Sequence, residues 1–368
     1  MTDVAIVGAG ALGLACAAAL AGVGKSVVLI ERRDGIARET TSRNSEVIHA
    51  GLYYPPDSLK AKFCIEGRDR LYARCRAQRI GHRRVGKTVV ATNDAERDRL
   101  EALAANADRC GVRDLVPLTA RELNRREPSV RGIAALWSPS TGIVDAHGLC
   151  LSWLAEAESY GAVLALCTTL REIERKASGY ILRLADNDGK PAELEAEVVI
   201  NAAGLDSDTV AASAGIDIDE AGYRLHLCKG DYFSLLPGAP YAFTGLVYPL
   251  QGAAGLGVHV TLDLGGRVRL GPDATYVEDR NLEVDPGKAE AFAAAAGRYL
   301  PGLVASQLVP DYAGLRPKLA APGEGFRDFV VSEESRRGLP GLINLIGIES
   351  PGLTAAAAIA AHVAERLL

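Results

Sequence analysis

Val4-Ala5-Ile6-Val7 runs straight into Gly8-Ala9-Gly10-Ala11-Leu12-Gly13, and Val27-Val28-Leu29-Ile30 ends on Glu31, eighteen residues beyond Gly13. An apolar strand, a glycine turn, an alanine-rich helix and a second apolar strand make a dinucleotide-binding βαβ unit. Glycine permits positive φ and the close approach of a pyrophosphate, and the helix N-terminus presents partial positive charge to phosphates. An acid closing the second strand is placed to accept from a ribose hydroxyl. The expected nucleotide contacts are Gly8, Gly10, Ala11, Gly13, Glu31 and the adjoining Arg32.

The apolar run from 4 to 23 superficially matches a secretory signal, but Asp3 stands where a signal carries Lys or Arg, and glycines at fingerprint spacing interrupt it. No other segment approaches the ~20 apolar residues of a membrane span. A length of 368 residues with 48% hydrophobic side chains provides for roughly two domains of ~150 residues and excludes a disordered chain. Net charge is −5 without a basic stripe, which argues against nucleic acid or an anionic membrane surface and for small-molecule partners. The seven cysteines are odd in number and none lie at CxxC spacing, as in a reducing compartment. The expected location is the cytoplasm, with peripheral docking to the inner face of a membrane left open. No metal is expected.

No repeat, low-complexity tract or linker separates sequential domains, so the domains are expected to interleave. A helix is predicted from Ser58 to about Ile80 with Leu59, Phe63, Leu71 and Cys75 inward, then a strand at Thr88–Ala91, and charged surface helices at 95–110 and 119–127. A helix follows Asp145-Ala146-His147-Gly148, then strands near 163–170 and 179–184. Glu197–Ile200 reads as a second buried strand, ending in the small-residue turn Asn201-Ala202-Ala203-Gly204-Leu205-Asp206, a second contact with the same ligand at the carboxyl edge of a parallel sheet. From 223 to 276 the pattern becomes period-two, as in antiparallel strands. Leu342–Gly347 then Ser350-Pro351-Gly352-Leu353-Thr354 returns to strand and apolar helix, closing the nucleotide domain.

Thr41-Ser42-Arg43-Asn44-Ser45-Glu46-Val47-Ile48-His49-Ala50-Gly51-Leu52-Tyr53-Tyr54-Pro55 resembles the flavin-loop signature of L-2-hydroxyglutarate dehydrogenases and oxidases. These belong to the wider group of D-amino-acid-oxidase-like, glycerol-3-phosphate-dehydrogenase-like FAD enzymes. The similarity continues through Ser58–Cys64, Arg126-Glu127-Pro128, Ser140–Val144, Lys229–Phe233, Tyr248-Pro249, Gly257-Val258-His259 and Gly271–Ala274.

The resemblance implies an α/β fold: a Rossmann-like FAD-binding domain of the second glutathione-reductase type (1–85, 145–222, 330–368) interleaved with an antiparallel-sheet α+β substrate domain (86–144, 223–329). It implies extended FAD and oxidation of a carboxylate-bearing alcohol or amine by hydride transfer to flavin N5. Beyond the fingerprint, the implied FAD contacts are Thr41, Ser42, Arg43, Asn44, Ser45, Leu170, Ala202, Ala203, Gly204, Gly347, Pro351, Gly352, Leu353 and Thr354. The N-terminus of the last helix would face the flavin pyrimidine edge, its dipole favouring the anionic reduced ring.

Two histidines compete as the base for a hydroxyl proton, since imidazole titrates near ~6.5. His49 lies in the flavin loop, and His259 alternates with Val258 and Val260, which turns it toward a cavity if that face lines the site. Asp311-Tyr312-Ala313-Gly314-Leu315-Arg316-Pro317 is similar to the segment whose arginine binds the substrate carboxylate in amino-acid-oxidising relatives, and a guanidinium fork matches a carboxylate in two parallel hydrogen bonds. Lys229 is a candidate for a distal carboxylate and Tyr248 for the reacting oxygen. Two departures from the family pattern stand out. Glu46 replaces the usual glycine, which would set an acid beside flavin or substrate, and the 276–311 stretch is short for a dehydrogenase, which argues against membrane or quinone docking through that region.

The expected activity is oxidation of a small 2-hydroxy acid, L-2-hydroxyglutarate to 2-oxoglutarate first. The electron acceptor is left open between oxygen, a quinone and a carrier protein. An amino acid oxidase is the enzymatic alternative. A flavin protein without turnover and a flavin-free nicotinamide-binding module are the others.

Overall fold

The computed structural model describes residues 1–250 and 257–366. Residues 251–256, inside the expected period-two region, and the last two of the expected nucleotide domain lie outside them. The first strand, Thr2–Val7, pairs in parallel with Val27–Ile30 on one side and with the long strand Pro191–Asn201 on the other. Val27–Ile30 continues in parallel to Val163–Ala165. The 191–201 strand is shared along its length: its first half runs antiparallel to Tyr180–Asp186, and its last residues run parallel to Leu339–Ile346.

Two further antiparallel strands, Thr168–Arg175 and Val330–Glu334, complete eight. Alternation along Thr2–Val7 sends Val4 and Ile6 to one core and Ala5 and Val7 to another, because both faces of a parallel sheet are covered. The first core is closed by three helices, Ala11–Ala21, Ala146–Ser159 and Gly352–Arg366, through residues such as Leu14, Leu149, Trp153 and Ile359. The apolar segment that mimics a signal is thus the centre of the sheet and its covering helix.

A second sheet of nine strands is built from 87–91, 116–119, 134–138 and the strands between 226 and 318. It is mostly antiparallel, but Leu246–Pro249 runs parallel to Lys87–Ala91, a pairing the period-two pattern does not reveal. Its core centres on Phe233, Phe292, Tyr299 and Leu270. A small third sheet joins Val47–Ile48, Gly142–Val144 and His82–Arg83.

The helix expected from Ser58 spans Leu59–Ala77, with Ser58 Oγ accepting from the Ala61 N–H as its N-cap. The strand expected at 163–170 is two strands: Leu166 and Cys167 interrupt it, Cys167 having φ +53°. The strand expected to contain His259 begins one residue later, at Val260.

Candidate active site

A cavity of about 980 Å³ is walled by the carboxyl ends of the first sheet and by residues of the second. At its nucleotide end Gly8 has φ +105°, and a Cβ there would lie 2.6 Å from the Ala202 carbonyl oxygen. A Cβ on Gly13 would lie 1.9 Å from the Gly8 carbonyl oxygen. The two glycines let turn and helix nest against the second small-residue turn. The Ala11–Ala21 helix opens on Gly10, which has no side chain to cap it, and without an acid in its first turn, so its positive end suits an anion.

Glu31 accepts from the N–H groups of Ala9 (2.9 Å) and Arg33 (2.8 Å), which anchors the carboxylate at the cavity wall. Arg32 pairs with Glu39 (2.6 Å) and Asp206 (2.7 Å) and lines the cavity with both. Leu170 lines it where a bulge between Leu170 and Glu172 breaks the ladder. Ala202, Ala203 and Gly204 complete this end. Small-residue turns, a helix start without an acid and an anchored carboxylate suit a pyrophosphate and ribose, so the residues present fit the nucleotide half of FAD.

The flavin-loop segment is fastened to the first helix and to the second sheet. Thr41 Oγ1 accepts from the Ala11 N–H at 3.1 Å. Tyr312 donates its hydroxyl to the Asn44 carbonyl at 2.6 Å, and Ser45 Oγ lies 2.7 Å from the hydroxyl of Tyr232, which stacks on Tyr312. Gly314 packs so closely that a Cβ would meet the Arg43 carbonyl oxygen at 2.0 Å. Thr41, Arg43, Asn44 and Ser45 all face the cavity, as do Pro351, Gly352 and Leu353 at the start of the last helix.

Arg316, His49, His259 and Tyr248 share this wall. The Arg316 guanidinium donates to the Asp273 backbone carbonyl (2.9 Å) and to Cys228 Sγ (3.4 Å), and among the described residues no carboxylate pairs with it. His49 Nε2 lies 3.3 Å from Ser350 Oγ. Burial foremost, then the nearby Lys87 and His259, pushes the His49 imidazole down to about 3, keeping it neutral. His259 is 4% exposed and stacks flat on Tyr248, centroids 3.7 Å apart. Val258 and Val260 turn the other way, into the core.

Five expected contacts stand elsewhere. Gly13 and Gly347 pack against the chain, Gly347 beside Leu319. Ser42 is exposed, its Oγ donating to the Glu39 carbonyl. Thr354 is fully buried behind the wall, accepting from the His49 N–H. Lys229 faces away from the cavity: in its strand Cys228, Gly230 and Tyr232 line the wall, while Lys229 pairs with Asp231 at 3.4 Å and donates to the Glu283 carbonyl.

Glu46 is a correction too. It has φ +53°, the left-handed conformation that favours glycine. Its carboxylate accepts from Ala146 N–H at 3.2 Å, at the start of the 146–159 helix, and burial pushes it up from the ordinary carboxylate range. It does not line the cavity, so it sets no acid against a substrate there. Sequence reading missed Lys87, which is 1% exposed at the head of an apolar strand. A lysine opening Lys87-Thr88-Val89-Val90-Ala91 was the available signal. Among the described residues no group of His, Cys, Asp and Glu could hold a metal ion, and no helix is long and apolar enough to cross a membrane.

The sequence profile of the FAD dependent oxidoreductase family matches residues 3–366. The chain belongs to this family. Proteins similar to it include the mitochondrial L-2-hydroxyglutarate dehydrogenase of Arabidopsis thaliana, 37% identical over all of this chain and 83% of that protein. The L-2-hydroxyglutarate dehydrogenase of Escherichia coli is 28% identical over all of this chain and 93% of its own. Among solved structures, the dithionite-reduced L-alpha-glycerophosphate oxidase of Mycoplasma pneumoniae with FAD bound aligns with a TM-score of 0.86 and 25% identity, covering 99% of this chain and 94% of that one. Glycine oxidase from Bacillus cereus aligns at 0.80 and 21% identity over 100% and 95%, which reflects the fold. The Rossmann-like cofactor sheet with a second, substrate-side sheet is therefore the fold of this family, and FAD is its cofactor.

Proposed function

We propose that this FAD-dependent oxidoreductase oxidises L-2-hydroxyglutarate to 2-oxoglutarate. The observation that carries the reading is Arg316, a cavity-facing guanidinium with no carboxylate partner among the described residues, set on one wall with two histidines and Tyr248. The substrate named for the curated relatives supports the choice of acid.

FAD, when bound, supplies the two-electron acceptor for the C2–H bond. Arg316 grips the carboxylate beside the reacting carbon through paired hydrogen bonds, which fixes the orientation of C2. His49, held neutral, takes the hydroxyl proton, and the contact of its Nε2 with Ser350 Oγ orients the ring. Its proton and the electron pair lost with the C2 hydrogen balance conversion of the alcohol to a ketone. His259 and Tyr248, stacked together, seal the site and orient the hydroxyl.

The strands of the two large sheets fall on opposite sides of boundaries at 85/86, 144/145, 222/223 and 329/330, which supports an interleaved cofactor domain and substrate domain. All seven cysteines are free, which supports a cytoplasmic location.

The test is an anaerobic titration of the purified yellow protein with L-2-hydroxyglutarate, its D-isomer and a panel of amino acids. Bleaching of the flavin band near ~450 nm by the L-hydroxy acid alone is the expected result. Bleaching by an amino acid instead makes it an amino acid oxidase, and a band that no acid bleaches makes it a flavin protein without this turnover.

A further inference from the structure

Among the described residues, one buried lysine near the site has no acid beside it. Lys87 is 1% exposed, and its Nζ lies 4.6 Å from the ring centroid of Tyr53 and 4.8 Å from that of Tyr248. Among the described residues no carboxylate pairs with it. The other lysines of this region are compensated. Lys60 and Lys318 share Glu349, at 3.0 and 3.3 Å. Lys229 and Lys288 share Asp231, and Lys288 also meets Asp273 at 2.8 Å.

The groups around Lys87 are neutral ones. Burial pushes the Cys64 thiol up to about 12 and raises both tyrosines, while His49 and, beyond it, His259 bring no negative charge. Aromatic faces attract an ammonium but leave its three donors unmet. A buried ammonium without a counter-ion is strongly unfavourable, so Lys87 holds its proton weakly until an anion from outside the chain reaches it. Both rings that hold Nζ are cavity wall, which puts the ammonium one aromatic layer from the cavity, and its four-carbon stem lets it advance between them.

We propose that Lys87 is the specificity residue for a second carboxylate: it receives the distal carboxylate of a dicarboxylic 2-hydroxy acid while Arg316 holds the carboxylate beside the reacting carbon. This rests on the L-2-hydroxyglutarate reading and moves to Lys87 the role expected of Lys229. Burial lowers the Lys87 ammonium to about 7, so it gains its proton when an anion arrives.

The experiment compares kcat/KM for L-2-hydroxyglutarate with that for L-2-hydroxypentanoate, which has a methyl where the distal carboxylate would be, in wild-type holoenzyme, K87M and K87R. Wild type is expected to favour the dicarboxylate. K87M should cut that preference about 30-fold or more while leaving the pentanoate rate and the flavin content near wild type, the scale of losing one partner of a buried charge pair. K87R should keep much of it. If K87M does not yield flavin-loaded protein, K87Q is read on the same ratio. A preference unchanged in K87M or K87Q, or an equal loss for both acids, overturns the role of Lys87 and leaves the substrate reading standing. No preference in wild type overturns both.

Discussion

The backbone N–H of His49 donates to Oγ1 of Thr354 at 3.0 Å, and the same hydroxyl donates to the Val47 carbonyl at 3.2 Å. One buried hydroxyl in the last helix thereby sets the position of a loop 305 residues away. Thr354→Val keeps the shape and removes both bonds. It should lower stability by about 1–3 kcal/mol, the cost of unmade buried hydrogen bonds. It should also slow flavin reduction more than it weakens FAD retention. Thermal melts with stopped-flow reduction check this, and an unchanged reduction rate removes Thr354 as a positioning residue.

Gly8→Ala should yield protein that purifies without its yellow colour. The added methyl meets the Ala202 carbonyl at 2.6 Å on a backbone with φ +105°, so the turn must open where the pyrophosphate is expected. A variant that retains a full complement of flavin argues against this turn as the phosphate cradle.

Arg316→Leu should keep the flavin band and raise KM for 2-hydroxy acids by a factor corresponding to ~2–5 kcal/mol. Arg316→Lys should recover only part, because an ammonium lacks the planar fork. Steady-state kinetics with a quantified flavin content distinguish lost substrate binding from lost cofactor.

His49 is lowered to about 3, so it stays deprotonated across the working range. As base it should give kcat/KM no acid limb near ~6.5, where an exposed imidazole would protonate. His49→Ala should slow flavin reduction by ~10²–10⁴-fold. A wild-type acid limb near that pH that vanishes in the variant contradicts the burial argument.

Lys87 couples pH to stability. Its ammonium loses its proton at about 7 in the fold, against the ordinary 10.5 of a lysine in water. Below pH 7 both states hold the proton and the burial penalty is complete. Between 7 and 10.5 the unfolded chain holds a proton that the folded one lacks, so stability rises with pH through that window. Lys87→Met should therefore melt higher than wild type at pH 6 in the absence of substrate, with the gap closing by pH 10. A gap independent of pH removes Lys87 as its cause.

The chemistry legible in the sequence is local. Gly8, Gly10 and Gly13 with Glu31 announce a nucleotide turn because the conformations and close approaches they serve arise within one βαβ unit. Resemblance located the flavin loop and Arg316, since short motifs carry their geometry with them. What escaped depended on parity or on distant partners. Lys229 and Cys228 are neighbours in one strand, and only the packing of that strand decides that Cys228 faces the cavity and Lys229 faces Asp231.

By itself, then, the sequence determined the parallel nucleotide sheet, its turns and the flavin family, because each rests on spacing along a few tens of residues. The tertiary structure alone decided that Thr354 reaches His49, that Glu46 turns to Ala146, and that Lys87 is buried between Tyr53 and Tyr248 with no acid beside it among the described residues. Burial and charge balance belong to the assembled neighbourhood, and that neighbourhood is drawn from strands and helices far apart in the chain.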